Sequence, residues 1–161
     1  MKALVFFSDG GWVRQYLDDL ARRKIARYDM FLAWLIRTGS RSRLTHVSIS
    51  FRGRTLDPAY VGNRLYATEL FVTGHPGLVY GVEVPITSRP NFDQFDMGVK
   101  KTPWPTVARV ATFGWLTVDD CICNTTTILN QCGFYVPQHV LSPARLFDWL
   151  TTSRGCRYAT F

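Results

Sequence analysis

An α+β domain built on a central antiparallel sheet is what this sequence predicts, and three features carry the prediction. Residues 45–51 alternate between apolar and polar side chains with the period of a strand, and a Gly-containing turn follows them. Two short apolar runs, residues 3–7 and 78–86, are bounded by turn residues. Residues 121–132 and 144–150 carry the spacing and end signals of helices. At 161 residues the chain fits one domain, residues 1–161, around a single core. Its composition, 47% apolar, 14% aromatic and 19% charged, is that of a packed protein and excludes a disordered or low-complexity chain. The formal charge of +7 favours acidic partners such as nucleic acid, anionic lipid or cell-wall polymer.

In chain order, Ala3-Leu4-Val5-Phe6-Phe7 reads as a buried strand closed by the turn Ser8-Asp9-Gly10-Gly11. Residues 12–25 place Trp12, Tyr16 and Leu20 at helical spacing, with Asp18, Asp19, Arg22 and Arg23 on other faces, which predicts a helix. A second helix is expected over about residues 29–36, stopped by Thr38-Gly39-Ser40, where Gly39 suits a C-terminal cap. The period then changes: Thr45, Val47, Ile49 and Phe51 fall on one face of a strand and His46, Ser48 and Ser50 on the other. Arg52-Gly53 makes a turn, and residues 54–57 return antiparallel until Pro58, which lacks the N–H a ladder needs.

Residues 65–72 and 78–86 predict two more strands separated by Gly74-His75-Pro76-Gly77. Four prolines, at 85, 90, 103 and 105, punctuate a looser connection with short helices expected at 92–98 and 106–113. The helix at 121–132 is closed by Gly133 and Pro137. In the last helix Ser142 is the cap and Pro143 the first helical residue.

The four cysteines, Cys121, Cys123, Cys132 and Cys156, crowd the last quarter of the chain, which would leave the first 120 residues of a disulfide scaffold unstapled. Free thiols in a reducing, cytoplasmic compartment are therefore expected. The first apolar run, five residues long, is shorter than the roughly 7 to 15 of a signal-peptide core. No stretch approaches the ~20 apolar residues of a membrane span.

A nucleophilic thiol needs surroundings that favour thiolate, and the unpaired N–H groups and dipole of a helix N-terminus supply them. Asp119-Asp120-Cys121 stands where a helix should begin. Asn124, Thr125, Ile128, Leu129 and Cys132 share the face of Cys121 at helical spacing, so Cys121 opens a mostly apolar stripe, whereas Cys123 points elsewhere. His46, beside small Ser48 and Ser50, is the candidate base, and Asp57, on the strand that pairs back beside it, is the group to fix its tautomer.

The order of these elements resembles the circularly permuted papain-like fold of the NlpC/P60 superfamily, particularly its YiiX-like branch, to which the lecithin:retinol acyltransferase-like proteins are related. Residues 3–7 look like the family's opening strand. Phe31-Leu32-Ala33-Trp34-Leu35-Ile36-Arg37-Thr38-Gly39-Ser40 followed by Leu44-Thr45-His46-Val47-Ser48-Ile49 looks like its helix and histidine strand. Arg54-Thr55-Leu56-Asp57 holds the place of its third polar residue. Asp120-Cys121, with Gly133 and Pro137 beyond, is similar to its nucleophile frame, and Leu141-Ser142-Pro143 to its closing helix start.

The resemblance implies a central antiparallel sheet with the nucleophile helix packed on it, no cofactor, and thiol hydrolysis through Cys121, His46 and Asp57. The chain departs from the family pattern after its cysteine, where Cys123-Asn124-Thr125-Thr126-Thr127 replaces the usual small or apolar residues. Cys123 therefore stays open as the aligned thiol. Asp57 stands where relatives often have His or Glu, and Glu69 further along is an alternative to it. Residues 12–25 look like an added helix.

Peptidase or amidase activity is the first expectation, with thioesterase or acyltransferase chemistry close to it, and the substrate class is a peptide, a cell-wall stem peptide or another acyl compound. Nine of the nineteen basic residues lie between positions 22 and 54, with only Asp29 opposing them. Arg41 and Arg43 just precede His46, so this charge is expected to border the cleft and select acidic substrates. Nucleic-acid binding is the competing use of the same charge. A non-catalytic adaptor for a host protein is the alternative class, and the small size and basic charge suit a viral or bacterial effector. Zinc is disfavoured, because Cys121-x-Cys123 lacks the usual ligand spacing and no second pair accompanies it.

Overall fold

The structure, a computed structural model, describes residues 1–9, 38, 42–59, 62–74, 77–95 and 121–160. The helices expected at 12–25, 29–36 and 106–113 lie outside the described residues, as do Arg41 and most of the basic run. The described elements are β1 (Lys2–Asp9), β2 (Leu44–Phe51), β3 (Arg54–Ala59), β4 (Gly62–Ala67), α1 (Thr68–Gly74), β5 (Leu78–Pro85), a 3₁₀ turn (Phe92–Gln94), α2 (Cys121–Gln131), α3 (Pro143–Thr152) and β6 (Arg157–Thr160). The class is α+β. The six strands form one sheet in the order β4-β3-β2-β1-β5-β6, with every neighbouring pair antiparallel.

The apolar run of β1 explains its central place, because Val5, Phe6 and Phe7 are all buried and only a strand covered on both faces can bury consecutive side chains. Phe6 lies against Phe71 of α1, with ring centroids 5.4 Å apart, and Phe7 meets Phe147 of α3 edge-on at 5.3 Å. Successive strand side chains point to opposite faces, so α1 and α3 cover opposite sides of the sheet. Helix α2 packs over β2 and β3. Ile128 and Leu129 of α2 and Leu146 and Leu150 of α3 join Val5, Val47, Ile49 and Leu56 in the core.

Arg52 and Gly53 both have positive φ, +50° and +79°, the geometry of a tight hairpin turn matched to the twist of its strands. Two sequence expectations on this hairpin are corrected. Pro58 lies inside β3 instead of ending it, because β3 pairs only with β4 at that point, opposite Asn63, and no ladder bond to β2 is lost. The strand expected at 65–72 stops at Ala67, whose partner Arg54 is the first residue of β3. Beyond it the chain has nothing to pair with and turns into α1, where Thr68 N–H donates to Gly53 O at 2.8 Å. The helix expected at 92–98 is a single 3₁₀ turn at Phe92–Gln94, and the rest of that span lies outside the described residues. Strand β6 carries no alternating pattern and was not expected; it is a four-residue edge strand held by pairing with β5.

The end of α2 was legible in the sequence. Phe134 N–H donates to Leu129 O at 2.9 Å and Gly133 N–H to Asn130 O at 3.1 Å, the double closure in which the residue after the cap is left-handed. Gly133 has φ +81°, and a Cβ there would run into Thr87 Oγ1. Gly133→Ala is accordingly expected to destabilise the fold by about 1–3 kcal/mol, measurable as a lower urea midpoint at unchanged m-value. Helix α3 opens as its sequence predicts, with Ser142 Oγ accepting from Arg145 N–H at 3.3 Å and Pro143 in the first turn.

Candidate active site

The β2–β3 hairpin brings His46 and Asp57 together. Ile49 faces Leu56 across it, so the same register sets Asp57 beside Ser48, two residues along β2 from His46. His46 Nε2 lies 2.6 Å from Asp57 Oδ1, and the two side chains are only 12% and 14% exposed. Ser48 Oγ donates to the same Oδ1 at 2.7 Å and lies 3.4 Å from His46 Nε2. Beside His46 the sheet is irregular on both sides of β1. His46 pairs with Ser8 but Leu44 with Asp9, and Tyr80 pairs with Phe7 but Leu78 with Ser8, so Thr45 and Val79 are extra residues in their ladders. Such bulges bend a strand end and re-aim its side chains.

Cys121 reaches this end of the sheet on the first turn of α2. The helix is anchored by Asn124 Nδ2, which donates to Asn63 Oδ1 at 3.1 Å inside the protein; both residues are 2% exposed. Asn124 lies one helical turn after Cys121 on the same face, so this bond sets where the thiol stands. Cys121 is near enough to the His46 imidazole to act on its titration. Burial alone would lower the pKa of His46, but the charges of Asp57 and Cys121, with hydrogen bonds to both, outweigh it and hold the ring well above its usual 6.5.

The other sequence candidates are placed differently. Cys123 is half-buried on the same turn, but Cys121 is the thiol that acts on the imidazole. Burial pushes the thiols of Cys132 and Cys156 up, away from thiolate. None of the four cysteines is in a disulfide. Glu69 is exposed in the first turn of α1, and Asp57 is the carboxylate at the ring. Arg43 is exposed at the rim of a surface cavity of about 540 Å³ lined by Leu44, Val79, Tyr80, Phe147 and Asp148. His46, Asp57 and Cys121 are not among the residues that line it. Among the described residues no group of His, Cys, Asp and Glu is arranged to hold a metal, and no helix is long and apolar enough to cross a membrane.

Sequence reasoning missed Asn63, the bond of Ser48 to Asp57, and the aromatic cavity. A signal for the first was available: Asn124 is a polar residue beside Thr125 in a mostly apolar helix stripe, and its amide calls for a buried partner. Asn124→Ala would leave Asn63 buried with its bond lost, and is expected to cost about 1–3 kcal/mol in urea unfolding. It should also slow any chemistry at Cys121, since it loosens the helix end that carries it.

Comparison of the chain with protein-family models, characterised proteins and solved structures gives no match.

Proposed function

We propose that this protein is a cysteine hydrolase of the peptidase or amidase type, with the circularly permuted papain-like fold of the NlpC/P60 superfamily and its YiiX-like branch. The observation that carries the reading is the paired imidazole: His46 is bonded through Nε2 to Asp57 at 2.6 Å, and its titration is raised by Cys121 at the start of α2. The chain order, histidine strand, carboxylate strand, then cysteine helix, supports the family assignment.

In this mechanism Cys121 thiolate attacks the acyl carbon, a C–S bond forms, and the carbonyl oxygen becomes an oxyanion. The Cys121 backbone N–H, in the first turn of its helix, donates to that oxygen. His46 imidazolium gives its proton to the leaving nitrogen as the C–N bond breaks, which leaves a thioester on Cys121. Neutral His46 then takes a proton from water, whose oxygen attacks the thioester and releases the acid and the thiolate. Asp57 keeps the ring oriented and stabilises its charged form. Arg43, at the cavity rim near the strand end, is the residue to hold an acidic group of the substrate.

The test is incubation of the whole protein with p-nitrophenyl acetate, followed by peptide mapping. A nitrophenol burst with the acetyl group on Cys121, absent in His46→Ala, is the expected result. An acetyl group on Cys123 would move the nucleophile. No burst, with lysine acetylation alone, would overturn the hydrolase reading in favour of a binding protein. Transfer of the acetyl group to added amines in preference to water would assign acyltransferase chemistry.

A further inference from the structure

We propose that Ser48 is a positioning residue of this site: its hydroxyl holds the Asp57 carboxylate and, through it, the orientation of the His46 ring. The proposal rests on the hydrolase reading above and adds a residue to it. Ser48 is 1% exposed, and a hydroxyl buried so completely needs a partner. It takes Asp57 Oδ1, the oxygen that also bonds His46, so one carboxylate oxygen serves two donors at 2.6 and 2.7 Å. A donor from the middle of β2 adds to the restraint on the Asp57 side-chain torsions, and through them on the ring, which is how a surrounding shell fixes the group that touches the reacting atom.

The neighbouring serine shows that the role belongs to the position. Ser50, two residues along on the same face of β2 and also buried, bonds Thr68 Oγ1 at 2.7 Å instead, in a separate cluster with Thr55. Among the described residues, Asp57 from β3 and Cys121 from α2 are titratable groups that act on the imidazole; Arg64 on β4 pairs opposite Asp57, and Asp9 on β1 pairs opposite Leu44.

The test needs no substrate. The rate of Cys121 alkylation by iodoacetamide, resolved from the other thiols by peptide mapping, is followed across about pH 5 to 10 in the full-length protein. Ser48→Ala is expected to slow alkylation near neutral pH by about fivefold to tenfold and to move the rise in rate to higher pH. Ser48→Cys, which fills the same space with a weak donor, should do the same if the alanine variant is poorly folded. Ser50→Ala should leave rate and profile unchanged. A wild-type profile in both Ser48 variants overturns the proposal. If His46→Ala and Asp57→Ala then still alter the profile, only the role of Ser48 fails; if they do not, the hydrolase reading fails with it.

Discussion

Alanine at position 121 is expected to abolish turnover of an activated ester, by at least about 10³-fold, while leaving the protein folded. The first figure follows from the proposed chemistry: without sulfur no acyl-enzyme forms, and what remains is the small acceleration from bound backbone donors. The second follows from position. Cys121 is half-buried at a helix start and contributes no large apolar volume, so urea unfolding should shift by less than about 1 kcal/mol. Cys123→Ala, two residues further round the same turn, should keep activity. Equal activity in wild-type and Cys121→Ala proteins, measured on chromatographically separated material, would eliminate the nucleophile assigned here.

The second large effect is expected at Asp57, where two substitutions separate two roles. Asp57→Ala removes the acceptor and leaves His46 Nε2 and the buried Ser48 hydroxyl without their bond to it. A loss of about 2–4 kcal/mol in stability and about 10²-fold in rate should follow, the rate falling because the ring no longer holds its angle to the thiol. Asp57→Asn keeps an acceptor but removes the charge, so its rate should suffer less while its pH dependence changes.

The sign is fixed by His46. Its pKa in the folded protein is held above the unfolded 6.5, so the stabilisation is fully present below about pH 6.5 and is lost as pH rises through the folded value. Wild-type stability should therefore fall with rising pH above about 6.5, and the slope should flatten in Asp57→Asn. Urea midpoints taken at half-unit intervals would show it; an equally steep slope in the variant would mean that Asp57 does not set the charge of the ring.

Local signals survived translation into structure where one short segment decides the outcome. The period of 45–51, the Arg52-Gly53 turn, the Ser142-Pro143 start and the Gly133 stop each depend on a few neighbouring residues, and each is found in place. Expectations failed where a distant partner decides. Nothing in residues 65–72 announces that β3 begins at Arg54 and leaves Thr68 unpaired. Pro58 is tolerated because of which neighbour β3 has at that point, and β6 is a strand because β5 offers it an edge. The same division runs through the site. His46, Asp57 and Cys121 could be named from residue type and order, but Ser48 and Asn63 take part through hairpin register and helix docking, which no local window contains.

The hairpin that pairs His46 with Asp57 closes over 11 residues, whereas the bond that anchors the cysteine helix spans 61. A hairpin forms within about 1–10 μs, and a ribosome adds only about 5–20 residues per second. Several seconds of synthesis therefore separate a complete histidine and carboxylate pair from the arrival of the sulfur. On the proposed reading, a chain that stalls or misfolds before α2 docks has its thiol and its histidine pair still apart, so the topology would delay reactivity until that last contact forms.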